Sequence, residues 1–305
     1  MCKPLKDLTT EQINHKTMHI DMCTTREILE IINDEDIQVP LIVRNEIDSI
    51  AMAVDAITEA IKSGGRLIYI GAGTSGRLGM LDAAECPPTF GTDPELVKAI
   101  IAGGNEAYFR AVEGAEDDEE AGKAAIRENN VTAKDVVVGI TASGRTPFVL
   151  AAVREAKKLG AKTIGISNNT QSQIKSIVDI DIALNVGPEV IIGSTRMKSG
   201  TSQKLVLNMI TTAVMIKLGK VYGNLMVDLQ PKNAKLVNRA MRIIMHATGA
   251  DEEVAKKYLE LSGMNPKVAI VMYKTNTDKE TAVRLLAKNM GFVTKAINDT
   301  TVNNR

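Results

Sequence analysis

The sequence is poor in cysteine, and its three cysteines, Cys2, Cys23 and Cys86, are an odd number with no C-x-x-C spacing. This pattern argues against a disulfide framework and against a zinc site built on cysteine pairs. Structural disulfides belong to oxidising compartments, so a reducing, cytoplasmic setting is expected. No cluster of histidine, cysteine and aspartate has the spacing of metal ligands, and we therefore expect no metal site.

The chain also lacks net charge and long apolar runs. Its 37 basic residues balance 37 acidic ones, which gives no bulk electrostatic attraction to nucleic acid or to a membrane surface. No run approaches the roughly 18 apolar residues of a membrane span, and the first residues lack the apolar core of a signal peptide. The composition therefore predicts a soluble intracellular protein with no nucleic-acid or membrane partner.

What the chain does contain is a regular alternation of short β-branched runs and helical patterns. Strands separated by helices predict right-handed crossovers and a parallel sheet covered on both faces. The predicted strands are Leu67–Ile70, Val97–Ala102, Val136–Ile140, Thr163–Ile166 and Ile180–Asn185. The predicted fold is therefore α/β, with a five-stranded parallel sheet sandwiched by helices.

Three regions follow from this pattern. An amino-terminal helical segment, 1–50, precedes a domain over 51–228 that contains the sheet, and residues 229–305 form a small carboxyl-terminal helical domain, predicted as a three-helix module. A single long helical pattern runs from Pro40 to Gly64. The pair Pro87-Pro88 predicts the end of the helix that begins near residue 75.

Two turns rich in glycine and hydroxyl groups directly follow the first and third predicted strands. Glycine lets the backbone approach a ligand closely, and a helix start offers free amide groups and a positive dipole end to an anion. Ligands of parallel sheets bind at the carboxyl ends of the strands, so both turns are expected to converge on one phosphate group. The predicted phosphate-binding residues are Thr74, Ser75, Gly76, Thr141, Ser143, Gly144 and Thr146.

Other interpretations of these turns exist. Either turn alone also fits ordinary turn and helix-capping chemistry. The spacing Gly71-x-Gly73-x-x-Gly76 matches the dinucleotide-binding pattern, but the second predicted strand ends in Gly103-Gly104-Asn105, where that pattern requires an acidic residue. Small phosphorylated molecules are therefore better candidates than NAD or ATP. The candidates to neutralise the phosphate charge are Arg77, Arg145, Arg196 and Lys198, for which solvent-facing positions are an equal alternative.

The residues of these turns resemble those of proteins with the sugar isomerase fold, which bind phosphosugars. Five blocks in order resemble, more narrowly, the N-acetylmuramic acid 6-phosphate etherase family. They are Ile70–Gly79, Ala84–Phe90, Ala111–Asp117, Ala142–Pro147 and Gly223–Asp228. This resemblance covers residues 25 to 230, whereas the remainder resembles the family only in its general helical character.

The resemblance implies an etherase that removes the D-lactyl group of the sugar by elimination and hydration, with Glu85 and Glu116 as the catalytic residues. It implies no metal or organic cofactor, and a homodimer is the implied assembly. The chemistry supports a pair of carboxylates, since an open-chain C1 aldehyde acidifies the C2 proton, so that a base and an acid suffice to break the C3–O bond. The alternatives are a non-catalytic phosphosugar sensor, such as the glucokinase regulatory protein, and a sugar-phosphate isomerase.

The two glutamates differ in their surroundings. We predict that Glu85 is the general acid, because an apolar setting at the end of its helix would favour the protonated carboxyl. Glu116 is then the general base, in an acidic stretch that is predicted to begin a helix. The alternative for Glu116 is that it only offsets the dipole of that helix, and for Glu85 that it is a surface carboxylate at a helix end.

Overall fold

The computed structural model describes residues 8–231 and 233–302 and contains the predicted five-stranded parallel sheet. The strands lie in the order β2-β1-β3-β4-β5, and every pair of neighbours is parallel. Their bounds are β1 Leu67–Gly71, β2 Val97–Ile101, β3 Val136–Thr141, β4 Lys162–Ser167 and β5 Ile180–Ala183. The predicted fold class is confirmed. Cys2 lies outside the described residues.

Seven α-helices lie between the amino terminus of the described chain and residue 217. They are α1 Thr25–Asp36, α2 Val39–Arg44, α3 Ile47–Lys62, α4 Gly73–Phe90, α5 Glu119–Glu128, α6 Pro147–Lys158 and α7 Lys198–Lys217. The single helix predicted from Pro40 to Gly64 is wrong, because the chain breaks between α2 and α3. There the amide of Asn45 donates to the carbonyl oxygen of Ile42, a tightened turn that ends α2.

Helices cover both faces of the sheet, which explains why β1 and β3 consist of buried residues throughout. On one face, Ile68 and Val137 share a core with residues of α5 and α6, including Ile126 and Val153. On the other face α4 crosses closely, since a Cβ atom at Gly79 would lie 3.1 Å from the Cβ of Tyr69. A strand buried on both sides reads as a continuous apolar run, as these strands do.

Helix α4 continues through Pro87 and Pro88 and ends at Phe90, so the predicted stop at the prolines is wrong. A proline removes one helical hydrogen bond and crowds the carbonyl four residues earlier. Both prolines lie in the last turn of a long helix, where only a few bonds are affected. The residue that terminates the helix is Gly91, directly after Phe90. Its φ of 61° suits glycine, and its amide donates to the carbonyl oxygen of Pro87 at 2.9 Å.

The chain divides into two compact units. The first contains the described residues up to Ala84 together with Pro94–Thr211, and the second contains Glu85–Asp93 and the described residues from Thr212 onward. The described part of the helical segment predicted as residues 1–50, residues 8–50, thus belongs to the unit that holds the sheet. The second unit begins before the predicted boundary at residue 229.

The second unit has a hydrophobic core of its own, with Ile244, Leu259 and Ile270 among its most buried side chains. The predicted three-helix module is wrong, because this part of the chain forms five helices after residue 233, and a two-stranded antiparallel sheet precedes them. The elements are β6 Val221–Tyr222, β7 Leu225–Met226, α8 Ala234–Thr248, α9 Glu252–Leu261, α10 Pro266–Thr275, α11 Lys279–Lys288 and α12 Val293–Val302. None of the helices in the described chain has the length and apolar character needed to cross a membrane.

A buried ion pair fixes the starts of β1 and β3. The carboxylate of Asp135, which is 3 % exposed, accepts hydrogen bonds from the backbone amide, Nε and Nη2 of Arg66 and from the amide of Thr132. Burial raises the pKa of Asp135, but the bonds from Arg66 and Thr132 and the charge of Arg66 together outweigh it and hold the pKa below its ordinary value. The ionised carboxylate therefore stabilises the folded state.

Replacing Asp135 with asparagine is expected to lower the free energy of unfolding at pH 7 by on the order of 3 kcal/mol, because Arg66 keeps its charge and loses its partner. Since the folded-state pKa is depressed, this contribution is present above the unfolded pKa of about 4 and is lost as the pH falls through the folded pKa. Urea unfolding of both proteins from pH 7 to pH 3 measures it. Glu30→Gln, which breaks the exposed pair with Arg26, is the control and should change little.

Candidate functional site

The first predicted turn joins β1 to α4 and leaves no room for a side chain at Gly71 or Gly76. A Cβ atom at Gly71 would lie 2.7 Å from the amide nitrogen of Gly76, and one at Gly76 would lie 2.6 Å from Cγ1 of Ile101. The amide of Gly76 donates to the carbonyl oxygen of Ala72 at 3.2 Å. These glycines let the helix start against the strand end, and Gly76 contributes through close packing.

Ser75 in this turn donates its hydroxyl proton to another side chain. Asn168 Nδ2 donates to the carbonyl oxygen of Leu184 at 3.1 Å, which leaves Asn168 Oδ1 to accept from Gln203 Nε2 at 2.9 Å. Gln203 Oε1 must then accept from the hydroxyl of Ser75, at 2.9 Å. A carbonyl oxygen can only accept, so the direction of this buried chain is fixed. The Ser75 proton is therefore used within the protein.

The second turn keeps a hydroxyl proton that can reach a ligand. Thr141 Oγ1 lies 2.8 Å from Thr146 Oγ1 and 3.4 Å from Ser143 Oγ, so these three hydroxyl groups share two hydrogen bonds and one of their three protons is left over. The Ser143 hydroxyl also accepts from the amide of Arg145 at 3.2 Å, while Gly144, with φ of 71°, donates its amide to Thr141. This turn therefore offers a hydroxyl donor suited to an anion.

The two turns lie at the same edge of the sheet on adjacent strands. Gly71, the last residue of β1, is paired with Ile140 of β3, and the strands are parallel. Neighbouring strands are about 4.8 Å apart, so the turns that follow them are side by side. The structure thus brings together the two turns that the sequence predicted to act jointly.

Glu116 lies beside the first turn, on the rim of a cavity of about 270 Å³. It belongs to a 3-10 helix, Ala115–Asp117, and not to the acidic helix that the sequence predicted it to begin. That helix, α5, starts at Glu119 and is capped by Asp118, whose side chain accepts from the amide of Ala121. The alternative in which Glu116 only offsets a helix dipole loses its support, because the acidic residues in the first turn of α5 are Glu119 and Glu120. The cavity is lined by Ala72, Gly73, Arg77, Ala102, Ala107, Ala111, Val112, Glu113, Gly114, Ala115 and Glu116.

Glu85 lies on α4 and is exposed, so the apolar surroundings expected for it are wrong for its position in the described chain. It belongs to the segment Glu85–Asp93 of the second unit, whereas the other predicted site residues lie in the first. One turn earlier, Asp82 is buried on α4. Burial raises the pKa of Asp82, against hydrogen bonds from Asn208, Tyr69 and Thr211.

Lys198, a predicted phosphate cation, is directed to another partner. It is 3 % exposed, and its ammonium group forms a buried ion pair with Glu35. The backbone amides of Lys198 and Ser199 at the start of α7 both donate to Glu189, which is fully buried. The anion that this helix start attracts is therefore a side chain of the protein.

Sequence reasoning missed Asp82, Asn168 and Gln203. One signal was available, because Asn168 directly follows β4, where polar residues at a strand end mark a site edge. Asp82 and Gln203 lie within helices. Each bonds to a residue more than 100 positions away in the chain, Asn208 for Asp82 and Ser75 for Gln203, and no local pattern reveals such a pair.

Comparison with protein families matches the sheet-containing region. Residues 49–157 match the glucokinase regulatory protein N-terminal SIS domain, and residues 119–213 match the SIS domain. A phosphoheptose isomerase from Neisseria gonorrhoeae is 18 % identical, with a TM-score of 0.49, over 63 % of this chain and 99 % of its own.

Similarity to the etherases extends over nearly the whole chain. N-acetylmuramic acid 6-phosphate etherase of Clostridium acetobutylicum is 63 % identical over 293 residues, which are 96 % of this chain and 97 % of that protein. The etherase of Clostridioides difficile is 53 % identical over 97 % of this chain and 98 % of its own length. The fold, the paired turns and this full-length identity place the chain in the N-acetylmuramic acid 6-phosphate etherase family.

Proposed function

We propose that this enzyme cleaves the D-lactyl ether of N-acetylmuramic acid 6-phosphate and gives N-acetylglucosamine 6-phosphate and D-lactate, a step of cell-wall amino sugar catabolism. The observation that carries the proposal is the 63 % identity to a protein named as this etherase over 96 % of the chain. The two adjacent turns and the neighbouring carboxylate of Glu116 supply chemistry that fits such a substrate.

The proposal places the sugar phosphate between the turns Thr74–Gly76 and Thr141–Thr146. The hydroxyl proton left over among Thr141, Ser143 and Thr146 favours the second turn as the main source of a side-chain donor. At the first turn, Thr74 and Ser75 contribute amide groups at the start of α4, where the helix dipole favours an anion. Gly76 and Gly144 complete the proposed set, and the absence of side chains lets the two turns pack closely against Ile101 and Ser172.

The carbon–oxygen bond breaks by elimination. In the open-chain sugar, Glu116 as the base removes the proton on C2, and the electron pair left behind is first held as the enolate of the C1 aldehyde. This pair then forms the C2–C3 double bond as the C3–O bond breaks. Glu85 as the acid supplies the proton that the leaving lactate oxygen takes. Water then adds to C3, with its proton taken by one carboxylate and the C2 proton restored by the other. Each group is expected to contribute about 10² to 10⁴ in rate.

We further propose that the enzyme acts as a homodimer in the cytoplasm, without metal or organic cofactor. Apolar side chains stand exposed on the amino-terminal helices, among them Leu29, Leu41 and Met52, and a second copy would remove them from water. Cys23 and Cys86 are thiols and do not form a disulfide, which fits a reducing compartment.

A phosphosugar sensor or a sugar-phosphate isomerase remains the competing function. The match to the glucokinase regulatory protein model covers residues 49–157 only. The etherase relatives match from one end of the chain to the other, including the helices beyond residue 230, and this difference favours the enzyme.

The test is to incubate purified protein with N-acetylmuramic acid 6-phosphate in H₂¹⁸O and to assay D-lactate. Elimination and hydration place ¹⁸O on C3 of the product sugar and leave the lactate unlabelled, because the ether oxygen departs with lactate. Label in the lactate would contradict the proposed bond cleavage. Tight binding of the phosphosugar with no release of D-lactate would instead support the sensor.

A further inference from the structure

The chain between β2 and α5 carries Glu116 but contains little regular structure. Its elements are two 3-10 helices, Gly104–Tyr108 and Ala115–Asp117. Such a segment has few hydrogen bonds of its own to fix it, so the position of Glu116 depends on contacts with neighbouring elements.

The two ends of this segment are held by packing. At its start, a Cβ atom at Gly103 would lie 2.9 Å from Cβ of Val112, so the Val112 side chain rests directly on the Gly103 backbone. At its end, Ala115 packs against the core that contains Phe148 of α6. Between these ends, in residues 104–111, Ala107 is buried and the chain also bonds to α4.

Arg77 of α4 holds the middle of the segment. Its Nε donates to the carbonyl oxygen of Ala107 at 3.0 Å, and its Nη2 donates to that of Arg110 at 3.2 Å. The guanidinium is a planar fork with donors in fixed directions, which suits two carbonyl groups at once. The side chain also lines the cavity on whose rim Glu116 lies.

We propose that Arg77 is a positioning residue for Glu116. By holding Ala107 and Arg110, it ties the segment to α4 and keeps the Glu116 carboxylate at the rim of the cavity. This role differs from neutralising the substrate phosphate, because Nε and one N–H of Nη2 already donate to backbone carbonyl oxygens. The inference rests on the proposed etherase function.

The test compares Arg77→Lys with the wild type in steady-state D-lactate release. Lysine keeps the charge but replaces the planar fork with a single ammonium group. We expect kcat to fall about 10- to 100-fold, because a displacement of a catalytic group by about 1 Å costs that much. We expect KM for the phosphosugar and the inhibition constant of inorganic phosphate to stay within about threefold. Arg127→Lys is the matched control, since Arg127 also donates through Nε, to Glu155 at 2.7 Å, but on α5.

Hydrogen–deuterium exchange provides a second measurement that needs no turnover. In Arg77→Lys the amides of residues 104–117 are expected to exchange faster, with those of β1 and β3 unchanged. An unchanged kcat in an active enzyme would overturn the inference, and so would a rise in the phosphate inhibition constant that parallels the loss of kcat. If the wild type releases no D-lactate, the proposed function fails, while unchanged exchange in this segment would separately show that Arg77 does not hold it.

Discussion

Replacing Glu116 with glutamine is expected to lower kcat for D-lactate release about 10²- to 10⁴-fold, and Glu85→Gln is expected to have an effect of the same size. Glutamine keeps the shape of the side chain but neither accepts nor delivers a proton at neutral pH. Binding of N-acetylglucosamine 6-phosphate, measured by calorimetry, should persist in both variants because the two turns proposed to bind the phosphate are intact.

The two variants also test the assignment of base and acid. In D₂O, the enzyme that lacks its base cannot exchange the C2 proton of the sugar, whereas the enzyme that lacks only its acid still can. Glu116→Gln should therefore abolish deuterium incorporation at C2 of the substrate, and Glu85→Gln should retain it. The reverse result would exchange the two roles.

Asp117→Asn is the control for Glu116. Asp117 is the next residue of the same 3-10 helix and is exposed, but it does not line the cavity. Its replacement removes one negative charge from the same segment and should leave kcat within about threefold, since an exposed charge contributes little. Near-normal turnover in both glutamate variants would contradict the assigned chemistry.

The sheet and its two turns could be predicted because their signals are local. The runs at Leu67 and Val136 are β-branched and continuous since both faces of β1 and β3 are buried, and glycine with hydroxyl groups follows each. Parallel pairing then requires the turns to lie at one edge. This geometry is enough to predict that the site lies at the edge of the sheet where the two turns meet.

The features that sequence reasoning missed depend on distant partners or on weak local energies. Nothing near Ser75 shows that its proton goes to Gln203, 128 residues later in the chain. Helix α4 continues through Pro87 because this proline lies in the last turn, where it removes only a few of the helix's hydrogen bonds. The break between α2 and α3 lacks glycine, and the apolar spacing continues across it, so periodicity predicted one helix where the structure has two.

The second large effect is expected for Gly144→Ala in the second turn, which is proposed to bind the phosphate. Gly144 has φ of 71°, and a Cβ atom there would lie 2.2 Å from Cβ of Ser172. The Gly144 carbonyl oxygen also accepts from the amide of Ile174 at 3.1 Å, so the turn cannot move away without losing that bond. The variant therefore combines an unfavourable backbone conformation with a steric overlap in a packed region.

We expect Gly144→Ala to lower the free energy of unfolding by about 2–4 kcal/mol and to weaken binding of inorganic phosphate at least about tenfold. The matched control is Gly64→Ala, where φ is 81° but no atom lies within 4 Å of the added Cβ. It should cost only the conformational part, about 1–2 kcal/mol, and leave phosphate binding unchanged. Urea unfolding and calorimetric titration with phosphate measure the two quantities.

A double variant separates the steric part of this effect from the conformational part. Adding Ser172→Gly to Gly144→Ala removes the Cβ atom that the new methyl group would meet, although the Ser172 Cα remains 3.2 Å away. Partial recovery of both stability and phosphate affinity is expected, because the steric overlap is removed. The positive φ and a tight contact persist, and the buried hydrogen bond from Ser167 to the Ser172 hydroxyl is lost. Recovery of stability without phosphate affinity would show that the backbone of this turn, more than its packing, sets the position of the Ser143 and Thr146 hydroxyls. Equal stability of Gly144→Ala and Gly64→Ala would contradict the steric argument.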